Sequence, residues 1–170
     1  MQLYSILILF FALFTPTTFG VSVFELSFPD SRPIEGNTPL EQCEVSNAHI
    51  LEVTSLEMIP QPPRIGETLI MSAKGITKSQ INEGSYLEVT VKLGLIQILK
   101  KNFDLCELLI ENDDLGLECP VAAGSYELYK EVEIPSQAPA GKYVVLVKAF
   151  NGGENSENIG CVAGEISLGY

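Results

Sequence analysis

Four cysteines, Cys43, Cys106, Cys119 and Cys161, constrain this chain more than any other feature. The outer pair brackets almost the whole strand-patterned region, and the inner pair closes a short acidic loop. Staples of that kind belong to an oxidising compartment and to a domain whose ends come together. Four cysteines allow three connectivities, and sequence alone leaves all three open. Cys43–Cys161 with Cys106–Cys119 is the preferred pairing: one bridge ties the opening of the domain to its last strand, the other closes the loop. There is no C-x-x-C spacing and His49 is the only histidine, so the residues do not support a zinc site.

The chain opens on an uncharged apolar run, LYSILILFFALF, followed by TPTTFG. An apolar core with Thr18 and Gly20 at the −3 and −1 positions of a cut reads as a signal peptide over residues 1–20. The core falls short of the ~20 residues that span a bilayer, and Pro16 interrupts its tail. Residues 21–42 carry three prolines and no sustained period, and read as an extended lead-in or propeptide. Residues 43–170 then form one domain. The net charge of −12, with no basic patch, argues against a nucleic-acid partner and for repulsion from anionic membranes at neutral pH.

From Ala48 onward the pattern is that of strands. Leu69, Met71 and Ala73 share one face of a strand ahead of the clearest one, which begins near Ser85. There Leu87, Val89, Val91, Leu93 and Leu95 alternate with Tyr86, Glu88, Thr90 and Lys92, the signature of a half-buried strand. Parity breaks afterwards, which predicts a bulge or bend between Gly94 and Ile96. Tyr126, Leu128, Val132 and Ile134 alternate with Glu127, Tyr129, Glu131 and Glu133; Tyr143, Val145, Val147 and Ala149 share a face further on. Six or seven strands separated by Pro- and Gly-rich turns predict an all-β fold, an immunoglobulin-like antiparallel β-sandwich. A short helix over Phe103–Glu111 fits the sequence between two of them.

Chemistry-bearing groups are sparse. A general base needs a nucleophile and an orienting acid, and nothing nominates them for His49. The stretch GGENSENIG lacks the strand–turn–helix context of a phosphate cradle and reads as a hairpin loop. Glu111, Asn112, Asp113, Asp114 and Glu118 form an acidic loop without the register of an EF-hand, and read as a solvated loop. No cofactor motif is found. Lys100 and Lys101, the only paired basic residues, follow the apolar run LGLIQIL. They either blunt a strand edge or meet a lipid phosphate or an anionic membrane.

The segment from Glu83 to Pro135 carries a resemblance to the ML lipid-recognition domain that covers about Leu40 to the C-terminus. Its most specific parts are VTVKLGLI, the cysteines of FDLC and ECP, PAGKY before a strand, and a late cysteine in the last strand. Within that family it is most similar to fungal phosphatidylglycerol/phosphatidylinositol transfer proteins, relatives of the lumenal Niemann-Pick type C sterol carriers. The resemblance implies a sandwich with an apolar cavity between its sheets and the bridges Cys43–Cys161 and Cys106–Cys119. A third bridge, common near the N-terminus of the sterol-carrying relatives, has no cysteines here.

Family outline and alternation together nominate lipid-binding residues. These are Val91, Leu93, Leu95, Ile98 and Phe103; then Pro120, Val121, Tyr126 and Leu128; then Tyr143, Val145 and Val147, with Lys100 and Lys101 for the headgroup or membrane. The same alternation would equally fill a solid sandwich core with no ligand. The implied function is a non-enzymatic, monomeric lumenal carrier of sterol or of phosphatidylinositol and phosphatidylglycerol. It would touch membranes transiently, with a membrane-protein lipid acceptor as a further partner. Its setting would be the secretory pathway, in a vacuole- or lysosome-like lumen or outside the cell. The alternative is a lipid-presenting or co-receptor module without autonomous transfer.

Overall fold

The computed structural model describes residues 28, 30–153 and 156–169; the signal peptide read over residues 1–20 lies outside these. Its strands are β1 (Arg32–Pro33), β2 (Leu40–Gln42), β3 (Leu51–Ile59), β4 (Thr68–Thr77), β5 (Tyr86–Leu93) and β6 (Ile96–Asp104). A helix α1 (Leu105–Glu111) and a 3-10 turn over Asp113–Leu115 follow. The chain finishes with β7 (Gly124–Glu133), β8 (Gly141–Phe150) and β9 (Asn158–Leu168). Sheet A runs β1-β2-β9-β8-β5-β6 and sheet B runs β3-β4-β7, with every neighbouring pair antiparallel. The expected sandwich is what forms. Of the stretch read as a lead-in, residues 21–27 and 29 lie outside the described residues, and Arg32–Pro33 and Leu40–Gln42 are strands of sheet A.

The strand expected to run on past Leu93 is instead a hairpin. Leu93 pairs with Ile96 across Gly94 and Leu95, and Gly94 adopts φ +56°. A two-residue hairpin loop needs positive φ at its first central position, which glycine supplies without a steric cost. The parity break in the sequence is this turn together with a bulge at Ile98, where the register shifts from Val91–Leu99 to Lys92–Gln97. The short helix forms near its expected place. Asp104 caps it by accepting from Glu107 N at 3.0 Å.

The two sheets are joined along one edge, at one end, and at the opposite end by the β3–β4 loop, where Ile65 N donates to Gly169 O at 2.8 Å just past β9. On the edge, the segment before β2 reaches β3: Leu56 N donates to Glu35 O at 2.8 Å and Met58 N to Asn37 O at 3.1 Å. At the first end, Ile50, Ile81, Leu109, Val121 and Ile159 form a buried cluster beneath the Cys106–Cys119 loop. Cys43 bonds Cys161 on the outer face of sheet A, where Ala163, Leu146 and Phe28 pack around it. That bridge closes 118 residues of sequence, which the chain-entropy model credits with about 5 kcal/mol.

A buried polar knot fixes the β4–β5 crossover to the end of β8. Asn151 Oδ1 accepts from Asn82 N at 2.8 Å, and its Nδ2 donates to Gln80 O at 3.0 Å. Ser85, wholly buried, accepts from Gly152 N at 2.9 Å. Gly152 has no room for a side chain, since a Cβ there would lie 1.9 Å from Glu83 O. Asn151→Ala strands the partly buried Asn82 N–H and removes an acceptor of the buried Ser85 hydroxyl, so we expect about 1–3 kcal/mol of lost stability. Urea denaturation should show a lower midpoint at unchanged slope.

Candidate functional site

Strand parity places one row of side chains from each sheet toward the other. In sheet A, Leu87, Val89, Val91 and Leu93 of β5 stand beside Ala149, Val147, Val145 and Tyr143 of β8. A Cβ on Gly160, which pairs with Ala149, would touch Leu51 of β3, so this face looks at sheet B. In sheet B the inward row of β7 is Tyr126, Leu128, Lys130 and Val132, opposite Gly75, Ala73, Met71 and Leu69 of β4.

The packing between these faces is incomplete. β5 and β8 are interior strands of sheet A, yet not one of their side chains is fully buried. A closed sandwich interdigitates its two inner faces into a core about 10 Å thick, with interior strands buried deepest. Here Val89, Val91, Leu93, Tyr143, Val145 and Val147 all stay partly exposed, as do Tyr126, Leu128 and Val132 across from them. Apolar side chains facing one another without covering each other define a gap between the sheets.

Most of the residues nominated from sequence come together on this gap, and some do not. Val91, Leu93, Phe103, Tyr143, Val145 and Val147 stand on the inner face of sheet A, and Tyr126 and Leu128 on that of sheet B. Leu95 does not face the gap: it occupies the hairpin turn and is fully exposed, because the strand ends two residues earlier. Ile98 is the extra residue of the bulge and is 51% exposed on the edge strand. Pro120 is exposed on the disulfide loop, and Val121 is buried in the end cluster through its bridge to Ile81. Lys101 shares the inner face with Phe103 and lies 4.7 Å from its ring centroid, whereas Lys100 points to the opposite face.

Lys130 was not singled out, although the period of two that nominated Leu128 also places it inward. Its Nζ donates to both carboxylate oxygens of Asp114, at 2.7 and 2.9 Å. The acidic loop thus neutralises an inward lysine on the edge strand β7. The edge strands β6 and β7 each present one inward cation, Lys101 and Lys130, beside apolar neighbours. A separate cavity of about 760 Å³ lies outside the gap against the disulfide loop. Its lining mixes Glu83, Asp104, Glu107, Asp113 and Glu118 with Leu109, Ile110 and Leu117.

His49 is buried, with Nδ1 3.5 Å from Gln42 Nε2 and with Nε2 lacking a partner among the described residues. Burial pushes its pKa down; Glu44 and Asp30 pull it up, and Lys78 pushes it further down. An unfolded chain protonates this imidazole near pH 6.5, so in that range the unfolded state binds more protons than the folded one. Stability therefore falls as pH drops below about 6.5, until the folded-state ring also protonates. His49→Gln should flatten that part of the stability–pH curve, read by urea unfolding at pH 7.5 and pH 5.

Comparison with known proteins matches this geometry. The ML domain family model matches residues 37–168. A phosphatidylglycerol/phosphatidylinositol transfer protein of Kluyveromyces lactis is 45% identical over 151 residues, covering 86% of each chain. One of Eremothecium gossypii is 44% identical over 137 residues, covering 81% of this chain and 63% of its own length. A Niemann-Pick type C2 protein from the Japanese carpenter ant superposes with a TM-score of 0.51 at 15% identity, over 72% of this chain and 95% of its own. The chain belongs to the ML domain family.

Proposed function

We propose that this protein is a lipid carrier that shelters the apolar part of one lipid in the gap between its sheets. The observation that carries the reading is the partial exposure of every inward side chain on the interior strands β5 and β8. Moving a lipid through water requires its hydrocarbon to exchange hydration for apolar contact. At about 25 cal/mol per Å², covering an acyl chain supplies many kcal/mol with no covalent step. The names of the relatives supply the class of cargo: phosphatidylglycerol and phosphatidylinositol, both anionic glycerophospholipids. Lys101 at the rim supports that class, because it has no carboxylate partner among the described residues and sits beside Leu99 and Phe103. Sterol is the competing cargo, and it would make no use of that charge.

Two disulfides support folding in the secretory pathway, where such bonds persist. We assign the working compartment to a vacuole- or lysosome-like lumen or to the exterior, with the chain acting as a monomer. It would load at one membrane and unload at another, or onto a membrane-protein acceptor.

A filling substitution separates a gap from a packed core. Val145→Trp adds bulk at the centre of the inner face of sheet A. In a gap it leaves the free energy of unfolding within about 1 kcal/mol of the parent and cuts lipid uptake; in a packed core it destabilises by about 1–3 kcal/mol. Transfer of labelled phosphatidylinositol, phosphatidylglycerol and sterol between vesicles reads uptake and cargo together. Wild-type protein that moves none of the three would refute the carrier reading. Leu93→Asp should abolish transfer while circular dichroism still reports the β-sheet spectrum of the parent.

A further inference from the structure

The β5–β6 hairpin collects two properties found together nowhere else among the described residues. Its tip is aliphatic and bare. Leu95 is fully exposed and Ile96 is 70% exposed, with Ile98 and Leu99 following on the edge strand. The turn itself asks only for Gly94, so a leucine in solvent at the next position serves no folding need. The flanks carry uncompensated positive charge. Of ten Lys and Arg, seven form ion pairs with Asp or Glu among the described residues. The other three are Lys92, Lys100 and Lys101, all on this hairpin, and from Val89 to Phe103 the sequence has no Asp or Glu. In a chain of net charge −12 this is an isolated cationic, greasy projection.

From this juxtaposition we infer that the hairpin tip is a docking element for an anionic bilayer. Leu95 and Ile96 enter the acyl boundary while Lys92, Lys100 and Lys101 engage headgroup phosphates. The charge sorting selects a bilayer as occupant. Three cations on one projection pull it toward a negative surface while the acidic remainder is pushed away, so the protein arrives tip first. That orientation has a consequence for the gap. Leu93, Ile96 and Tyr143 form the tip end of the inner face, opposite the end sealed by the Cys106–Cys119 loop. Docking by the tip therefore brings to the lipid the corner of the gap where β5–β6 meets the side bordered by the sheet edges β6 and β7. The inference rests on the carrier reading for its purpose, but vesicle binding can be measured without it.

The test is flotation with vesicles of phosphatidylcholine alone and of phosphatidylcholine doped with phosphatidylserine, an anionic lipid chosen because it is not the proposed cargo. Wild-type protein should float with the doped vesicles only, and less as salt rises. Neutralising all three lysines to Gln should weaken binding about a hundredfold, at roughly fivefold per lysine. Leu95→Ser should weaken it about tenfold, with wild-type thermal unfolding and wild-type uptake of dispersed lipid, since the side chain touches neither core nor gap. Wild-type protein that ignores doped vesicles overturns the proposal, as does undiminished flotation of Leu95→Ser. Binding to a membrane-protein acceptor through Leu95 without vesicle binding overturns it in favour of a protein partner. Flotation lost in Leu95→Ser by a protein that never takes up lipid upholds docking and refutes the carrier reading instead.

Discussion

Two sheets fastened along one edge and at the ends next to it, and not joined strand to strand on the side of β6 and β7, set every other property of this molecule. The fastening is backbone hydrogen bonding between the pre-β2 segment and β3, together with apolar packing beneath the Cys106–Cys119 loop. Tyr126 and Lys130 of β7 meet the disulfide loop, but no strand pairing joins β6 to β7 where they form the sheet edges. Sheet B has three strands against six in sheet A. A three-stranded layer cannot cover a six-stranded one, so part of the inner face of sheet A is left for something else to cover.

The gap has a thermodynamic cost, and the fold offsets it at its borders. Partly exposed Val91, Val145 and Val147 forgo some of the roughly 1.5–3 kcal/mol that full burial gives an apolar side chain. The stability they withhold comes from elements that do not line the gap. These are the long-range Cys43–Cys161 bridge, the end cluster around Leu109 and Ile159, and the knot of Asn82, Ser85 and Asn151. Separating the two jobs makes sense for a container. Residues that must meet changing guests should not be the ones that hold the sheets together.

Much of this was legible in the sequence because period-two alternation is strict where one face meets water. The β7 segment reads inward-outward without a break, and its burial follows the same rhythm. Lys130 was passed over for the opposite reason: a cation inside an apolar row looks like noise until its carboxylate partner, 16 residues away on the disulfide loop, is seen. The hairpin at Gly94 was hidden by composition. With apolar residues on both sides of the turn, LGLIQIL carries no polar punctuation, and a single glycine reads as a bulge as easily as a reversal. Incomplete closure was legible only through the family resemblance, since alternation is identical for a core that touches its partner and one that does not. Only the burial of β5 and β8 side chains decides that question.

The distribution of charge follows from the same division of labour. An acidic surface keeps a protein with an open apolar interior dispersed, because like-charged copies repel. It also repels the anionic membranes that such a protein would need to approach. Spreading positive charge evenly would weaken both effects without resolving the conflict. Among the described residues, pairing seven cations with carboxylates and leaving three without such partners on one hairpin keeps the repulsion global and the attraction local. The hairpin is also the element whose inner face, through Leu93 and Phe103, continues into the gap. Approach and access to the interior are thus assigned to one stretch of chain, and the aliphatic turn that looks misplaced in water is at its leading point.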